Sequence, residues 1–264
     1  MKTNKIYKML SIAGSDNTCG AGIQADIKTC QALNAYCLTC VTTITSQNSK
    51  DVFKIFELPS IYIKSQMNSI LQDYEIDCIK IGLISSVPQA KTICQILRKF
   101  NSHVPIVVDP IFKSSTDKKF NNLKNYASIY KTISKISPIF TPNLNEAKIL
   151  LKIKYNTKIS TEEITKKFMT KYKAKVVITD GGNRLNYCED FLIDEGIVVK
   201  FISNKISSQN THGSGCTFSS ALAVNLAKGF NLKKSVKLSK DFTRKCILNA
   251  PKFNLKYGPV GHRL

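Results

Sequence analysis

The sequence predicts one α/β domain over residues 1–264, with a mostly parallel sheet covered by helices on both faces. Three observations carry that expectation. Strand-like apolar runs alternate with helical patterns along the chain. The runs are short and apolar at successive positions, as in Ile106-Val107-Val108 and Val176-Val177-Ile178, which fits strands buried on both faces. No internal repeat, low-complexity tract or Pro/Gly/Ser-rich linker divides the chain.

In chain order, strand patterns fall at Tyr7–Ile12, Tyr36–Thr45, Cys78–Ile84, Ile106–Asp109, Ile139–Thr141 and Lys175–Thr179. Helical periodicity falls at Gly22–Leu33, Ile61–Gln72, Pro88–Phe100, Leu123–Lys135, Leu144–Leu151, Thr161–Tyr172, Cys216–Lys228 and Leu232–Asn249. Phe191–Ile193 and Ile197–Ile202, joined by Asp194-Glu195-Gly196, read as an antiparallel hairpin. Sheets of this kind bind ligands beyond the carboxyl ends of their strands, so the residues that follow each strand carry the most weight.

Composition narrows the function. With 43% hydrophobic residues the 264-residue chain can build a core, which excludes general disorder. The 39 Lys+Arg against 18 Asp+Glu give a net charge of +21. The lysines are scattered from Lys2 to Lys256 with no basic run longer than two, so a nucleic-acid partner is not expected. The excess is mostly Lys alongside abundant Ile and Asn and reads as compositional drift, with a modest attraction to anionic substrates. No run approaches the ~18 apolar residues that span a bilayer, and the amino-terminal stretch lacks a secretory signal, so a cytoplasmic protein without membrane attachment is expected. Nine cysteines, an odd number, do not suggest a disulfide framework. The pair Cys37 and Cys40 lies in an apolar strand and reads as buried and inert.

The chemistry concentrates in glycine loops and strand ends. In Thr211-His-Gly-Ser-Gly-Cys-Thr217, Gly213 and Gly215 leave the backbone free to converge its amides ahead of an apolar helix. The helix adds its unpaired N–H groups and positive dipole end, which suits a phosphate or a developing oxyanion. The same position is expected to lower the pKa of Cys216 and make it a proton acceptor. A second glycine loop, Gly14 to Asp26, follows the first strand but has neither dinucleotide nor Walker spacing. Asp109 ends the strand Val107-Val108-Asp109, and Asn143 and Glu146 open a helix. That pair can be a capping box or, with Asp109, can hold Mg²⁺.

In register, these residues resemble hydroxymethylpyrimidine/phosphomethylpyrimidine kinases of thiamine biosynthesis, within the ribokinase-like superfamily. Matching segments run from Ile12-Ala-Gly-Ser-Asp16 and Gly20-Ala-Gly-Ile-Gln-Ala-Asp-Ile-Lys28 to Gln47-Asn48, Lys80-Ile-Gly82, Val108-Asp-Pro110 and Thr141-Pro-Asn143. They continue through Gly181-Gly182 and Thr211–Thr217 to Tyr257-Gly-Pro-Val260. The resemblance implies a three-layer α/β/α fold. It also implies an ATP- and Mg²⁺-dependent enzyme that phosphorylates 4-amino-5-hydroxymethyl-2-methylpyrimidine and then its monophosphate, commonly as a homodimer. By position it makes Cys216 the base, with Gly213, Ser214 and Gly215 as the anion-stabilising turn. Gln47 would read the pyrimidine edge, Gly14 and Asp26 would support that pocket, and Leu83 and Ile111 would wall it. Asn143, Thr211, Asp180 and Gly182 would meet the nucleotide, and Asp109 and Glu146 would organise Mg²⁺.

Three positions depart from the family pattern. Asp180 stands where a phosphate-contacting Lys is usual, Thr18-Cys19 replaces Ser-Gly, and Ser114-Ser115 replaces a flexible Ser-Gly segment. Two alternative readings accompany the kinase. One is a pyridoxal/pyridoxine kinase, which the Gln47 amide disfavours. The other is a binding protein that keeps the fold without turnover, for which Asp180 is the chief support.

Overall fold

The computed structural model describes residues 5–100, 103–112, 123–154, 156–179 and 186–263. In it, β1 (Tyr7–Asp16) runs between β2 (Ala35–Gln47) and β4 (Cys78–Ile81). The sheet has the order β3-β2-β1-β4-β5-β6-β7-β8-β9, completed by β3 (Val52–Glu57), β5 (Ile106–Val108), β6 (Ile139–Phe140), β7 (Lys175–Thr179), β8 (Tyr187–Asp194) and β9 (Ile197–Asn204). The stretch from β2 through β7 is parallel, and β3, β8 and β9 are antiparallel. The expected mostly parallel sheet and its hairpin are therefore present.

Apolar side chains on both faces of the strands explain the layers. One face packs α2 (Ser60–Asp73), α3 (Val87–Phe100), α4 (Leu123–Ile133), α5 (Leu144–Leu151) and α6 (Thr161–Tyr172) through Ile63, Met67, Ile93, Tyr130, Leu150 and Phe168. The other packs α1 (Gly22–Ala32), α7 (Ser214–Ala227) and α8 (Leu232–Leu248) through Cys30, Phe218, Leu222 and Val236. α7 is buried at every position from Cys216 to Asn225 because α1 and α8 flank it over β4 and β5. No helix among the described residues is long and apolar enough to cross a membrane. All nine cysteines are free, with Cys40 buried and Cys37 half-buried in β2.

β3 was not expected. Its Phe53 and Phe56 are exposed, so it shows neither a buried run nor a clean alternation; pairing with β2 creates it. β1 and β2 also run on to Asp16 and Gln47, beyond the expected ends, with a register shift in the β1–β2 ladder between Ala13 and Ser15. The chain leaves β1 to one side for β2 and returns on the other side as β4. That reversal opens a crevice at the carboxyl ends of the strands.

Candidate active site

A cavity of about 280 Å³ occupies that crevice. Its wall comes from successive strand ends: Gly14 and Asp16 at the end of β1, Gln47 at the end of β2, Leu83 after β4, Asp109 and Ile111 after β5, and Asn143 after β6. The amino terminus of α7 closes it with Thr211, Gly213, Ser214, Gly215 and Cys216, and Glu146 of α5 completes it. The topology thus brings together residues spread over two hundred positions of sequence.

The α7 mouth depends on glycine. Gly213 caps the helix at φ 85°, and a Cβ there would lie 1.8 Å from the Gly20 carbonyl oxygen. Gly22 opens α1 at φ 59°, where a Cβ would meet the Gly14 oxygen at 2.2 Å. The two glycine loops therefore interlock at backbone contact, which no other residue would permit. Amides of the first turn of α7 have no helical carbonyl before them, and the residues of that turn line the cavity.

Cys216 lines the cavity, but its proton affinity is opposite to the expectation. Burial pushes the thiol up to about 12; the Lys80 charge and the Gly22 amide pull the other way without overcoming it. A helix amino terminus lowers a thiol pKa by a smaller amount than desolvation raises it in a side chain only 4% exposed. Cys216 thus rests as a thiol, within hydrogen-bond reach of Asp109.

Asp109 sits just past β5, its backbone N–H donating to the Ile81 oxygen at 2.9 Å. Burial raises its pKa to about 6, opposed by Lys80 and by hydrogen bonds from Ser219 and Cys216, and reinforced by Asp26. Burial and then Asp109 push Glu146 well above the ordinary carboxylate range. Glu146 and Asn143 also form the capping box of α5, with both reciprocal hydrogen bonds at 2.9 Å. The cap aims the Glu146 carboxylate, so capping and cavity roles coexist. A buried carboxyl whose proton affinity a second carboxyl raises suits a divalent cation. Among the described residues no group of three His, Cys, Asp or Glu side chains converges on a metal position. Water and phosphate oxygens would complete the shell, as Mg²⁺ prefers.

Asp26 does not reach the cavity. It is fully buried, and its carboxylate accepts Ser11 Oγ at 2.5 Å, Ser220 Oγ at 2.7 Å and Lys80 Nζ at 2.9 Å. Its place beneath the pocket makes its contribution one of support and not of substrate contact: it braces α7 through Ser220, one turn beyond Cys216. Gln47 is half-buried at the rim, with its backbone fixed by Asn17, whose Oδ1 accepts its N–H at 2.8 Å. Leu83 and Ile111 stand in the cavity wall. Asp180 and Gly182, and the Ser114-Ser115 segment, lie outside the described residues.

Sequence reasoning missed Lys80, Asp16 and His212. The Lys80 ammonium is fully buried; desolvation opposes its charge, but Asp26 above all holds its proton in place. Asp16 and His212 meet across the cavity wall, His212 Nε2 lying 2.8 Å from Asp16 Oδ2. Neither feature has a local signature: a Lys inside an apolar strand reads as an interruption, and the His212 contact spans 196 positions.

The sequence profile of the phosphomethylpyrimidine kinase family matches residues 16–261. A probable thiamine biosynthetic bifunctional enzyme, chloroplastic, from Oryza sativa subsp. japonica is 33% identical over 255 residues. That match covers 96% of this chain and 46% of the relative, so this chain spans about half of that protein. A hydroxymethylpyrimidine/phosphomethylpyrimidine kinase from Haemophilus influenzae is 31% identical over 266 residues, covering 98% of this chain and 97% of the relative. Among solved structures, the pyridoxal kinase from Staphylococcus aureus in complex with AMP-PCP is similar at a TM-score of 0.86 and 29% identity. That likeness covers 98% of this chain and 94% of the other.

Proposed function

The chain belongs to the phosphomethylpyrimidine kinase family, and on that premise we propose that it transfers the γ-phosphoryl group of ATP to a hydroxymethylpyrimidine and then to the resulting monophosphate. The observation that carries the reading is the convergence of Cys216, Asp109, Glu146 and the α7 mouth on one cavity that also holds Gln47. Gln47 carries an amide with one acceptor and two donors, matching an aminopyrimidine edge in which an NH₂ group adjoins a ring nitrogen. Leu83 and Ile111 flank the ring, and the hydroxymethyl group points at Cys216.

The acceptor hydroxyl then attacks the γ-phosphorus as the bond to the β–γ bridging oxygen breaks, and ADP leaves. Its proton passes to the Cys216 sulfur while the thiol hands its own proton to an oxygen of the transferred phosphoryl group. This relay suits a thiol that rests protonated. The first-turn amides of α7 stabilise charge on the transferred group. Phosphoryl transfer asks for little more than placement and charge neutralisation. Asp109 and Glu146 would hold Mg²⁺ here; when bound, it supplies charge neutralisation on the phosphate oxygens. Asn143 and Thr211 fall on the nucleotide side of the cavity in this reading, and Asp180 and Gly182 would contact the nucleotide by the family resemblance. The enzyme acts as a cytoplasmic homodimer, and exposed Phe53, Phe56, Ile61 and Tyr62 support an apolar contact between copies.

A coupled assay of ADP release with the hydroxymethylpyrimidine, its monophosphate and pyridoxal tests this directly. Turnover of both pyrimidines is expected, with a loss of at least roughly 10²-fold in Cys216→Ala, the usual scale of a proton-transfer group. Pyridoxal turned over well above either pyrimidine, or a Cys216→Ala variant as fast as wild type, would overturn the assignment.

A further inference from the structure

The Asp16 carboxylate gathers donors from two separate parts of the chain. Oδ1 accepts the backbone N–H and the hydroxyl of Thr18, both at 2.8 Å. Oδ2 accepts the amides of Gly20 at 3.1 Å and Ala21 at 2.8 Å. These four bonds shape the β1–α1 loop from within. The fifth, from His212 Nε2 at 2.8 Å, arrives from the loop that leads into α7. Burial works against the Asp16 charge, but His212 and the Thr18 donors outweigh it and keep the carboxyl ionised. His212 Nε2 therefore carries the proton of that hydrogen bond.

His212 is itself anchored. Its backbone N–H donates to the Gly258 oxygen at 3.0 Å, and its oxygen accepts the Val260 amide at 3.2 Å, so the carboxy-terminal segment grips it from behind. Its ring also packs on Gly20, where a Cβ would lie 2.1 Å from the imidazole Cδ2. The glycine contacts set how closely the two loops approach, and the Asp16–His212 bond sets how far they can drift apart.

We propose that His212 is a positioning residue whose hydrogen bond to Asp16 fixes the spacing between the acceptor-holding β1–α1 loop and the phosphate-facing mouth of α7. The inference rests on the kinase reading of the cavity. Transfer requires the acceptor oxygen, the phosphorus and the α7 amides in register, and an ångström of drift costs about 10²-fold in rate.

The test compares His212→Ala with His212→Gln, whose side-chain amide can place an N–H near the same point. Steady-state kinetics are read well below the unfolding midpoint, together with amide hydrogen exchange over residues 16–22 and 211–217. The expected result for His212→Ala is kcat lower by at least about tenfold, a KM for ATP close to wild type, and faster exchange in both segments. His212→Gln should restore most of kcat and the wild-type exchange. A wild-type kcat in His212→Ala, or a Gln variant as impaired as Ala, would overturn the proposal. A wild-type protein without pyrimidine-dependent turnover would instead sink the kinase reading, and unchanged exchange in His212→Ala would then sink the clamp as well.

Discussion

At Cys19 a single side chain stands in the left-handed region at φ 59°, held there by its own amide donating to the Asp16 oxygen at 2.9 Å. A Cβ in that conformation costs roughly 1–2 kcal/mol, and glycine returns part of the gain as chain entropy. Cys19 is exposed and nothing packs on it tightly enough to offset the strain. Cys19→Gly is therefore expected to raise stability by up to about 1 kcal/mol, read as a higher urea midpoint at unchanged slope; a lower midpoint would contradict the argument. Asp109 was legible because it ends a strand, whereas Gln47, Leu83 and Ile111 were legible only through the family resemblance; all four line the cavity. Cys216 was legible in place but not in proton affinity, because a local dipole argument omits desolvation. Asp26 was legible as support for the pocket but not in its depth, which Lys80 and Ser220, remote in sequence, set. Asp16–His212 escaped notice altogether, since only the folded chain brings the two together.

Elements were legible where burial imposes a period. The core strands and helices among the described residues follow apolar runs and stripes, while β3 is an edge strand whose outer residues face away from the core. Phe53 and Phe56 on this open edge are 58% and 62% exposed. Ile44, Ile61 and Tyr62 on the adjoining β2 and α2 are exposed as well. Soluble chains rarely leave an apolar edge uncovered. The homodimer proposed for this family member would cover it. Phe53→Lys with Phe56→Lys should then shift sedimentation at micromolar concentration from dimer to monomer. A wild-type chain that sediments as a monomer, or a double variant that stays dimeric, would remove β3 from the interface.

Across the whole molecule, function follows from the order of the strands. Reversal about β1 opens the crevice, α7 is buried so that its first turn points into it, and the glycine loops lock that turn against β1. The net charge of +21 adds a long-range field that draws anionic nucleotide toward the cavity. The central claim is that this crevice transfers a phosphoryl group first to a pyrimidine hydroxymethyl oxygen and then to the phosphate so formed. Phosphorus-31 resonance on a wild-type reaction holding ATP, Mg²⁺ and the hydroxymethylpyrimidine follows each product as it forms. The account predicts a pyrimidine monophosphate signal that rises first and then gives way to the diphosphate. Nucleotide consumed only to inorganic phosphate, at a rate indifferent to added pyrimidine, would contradict it.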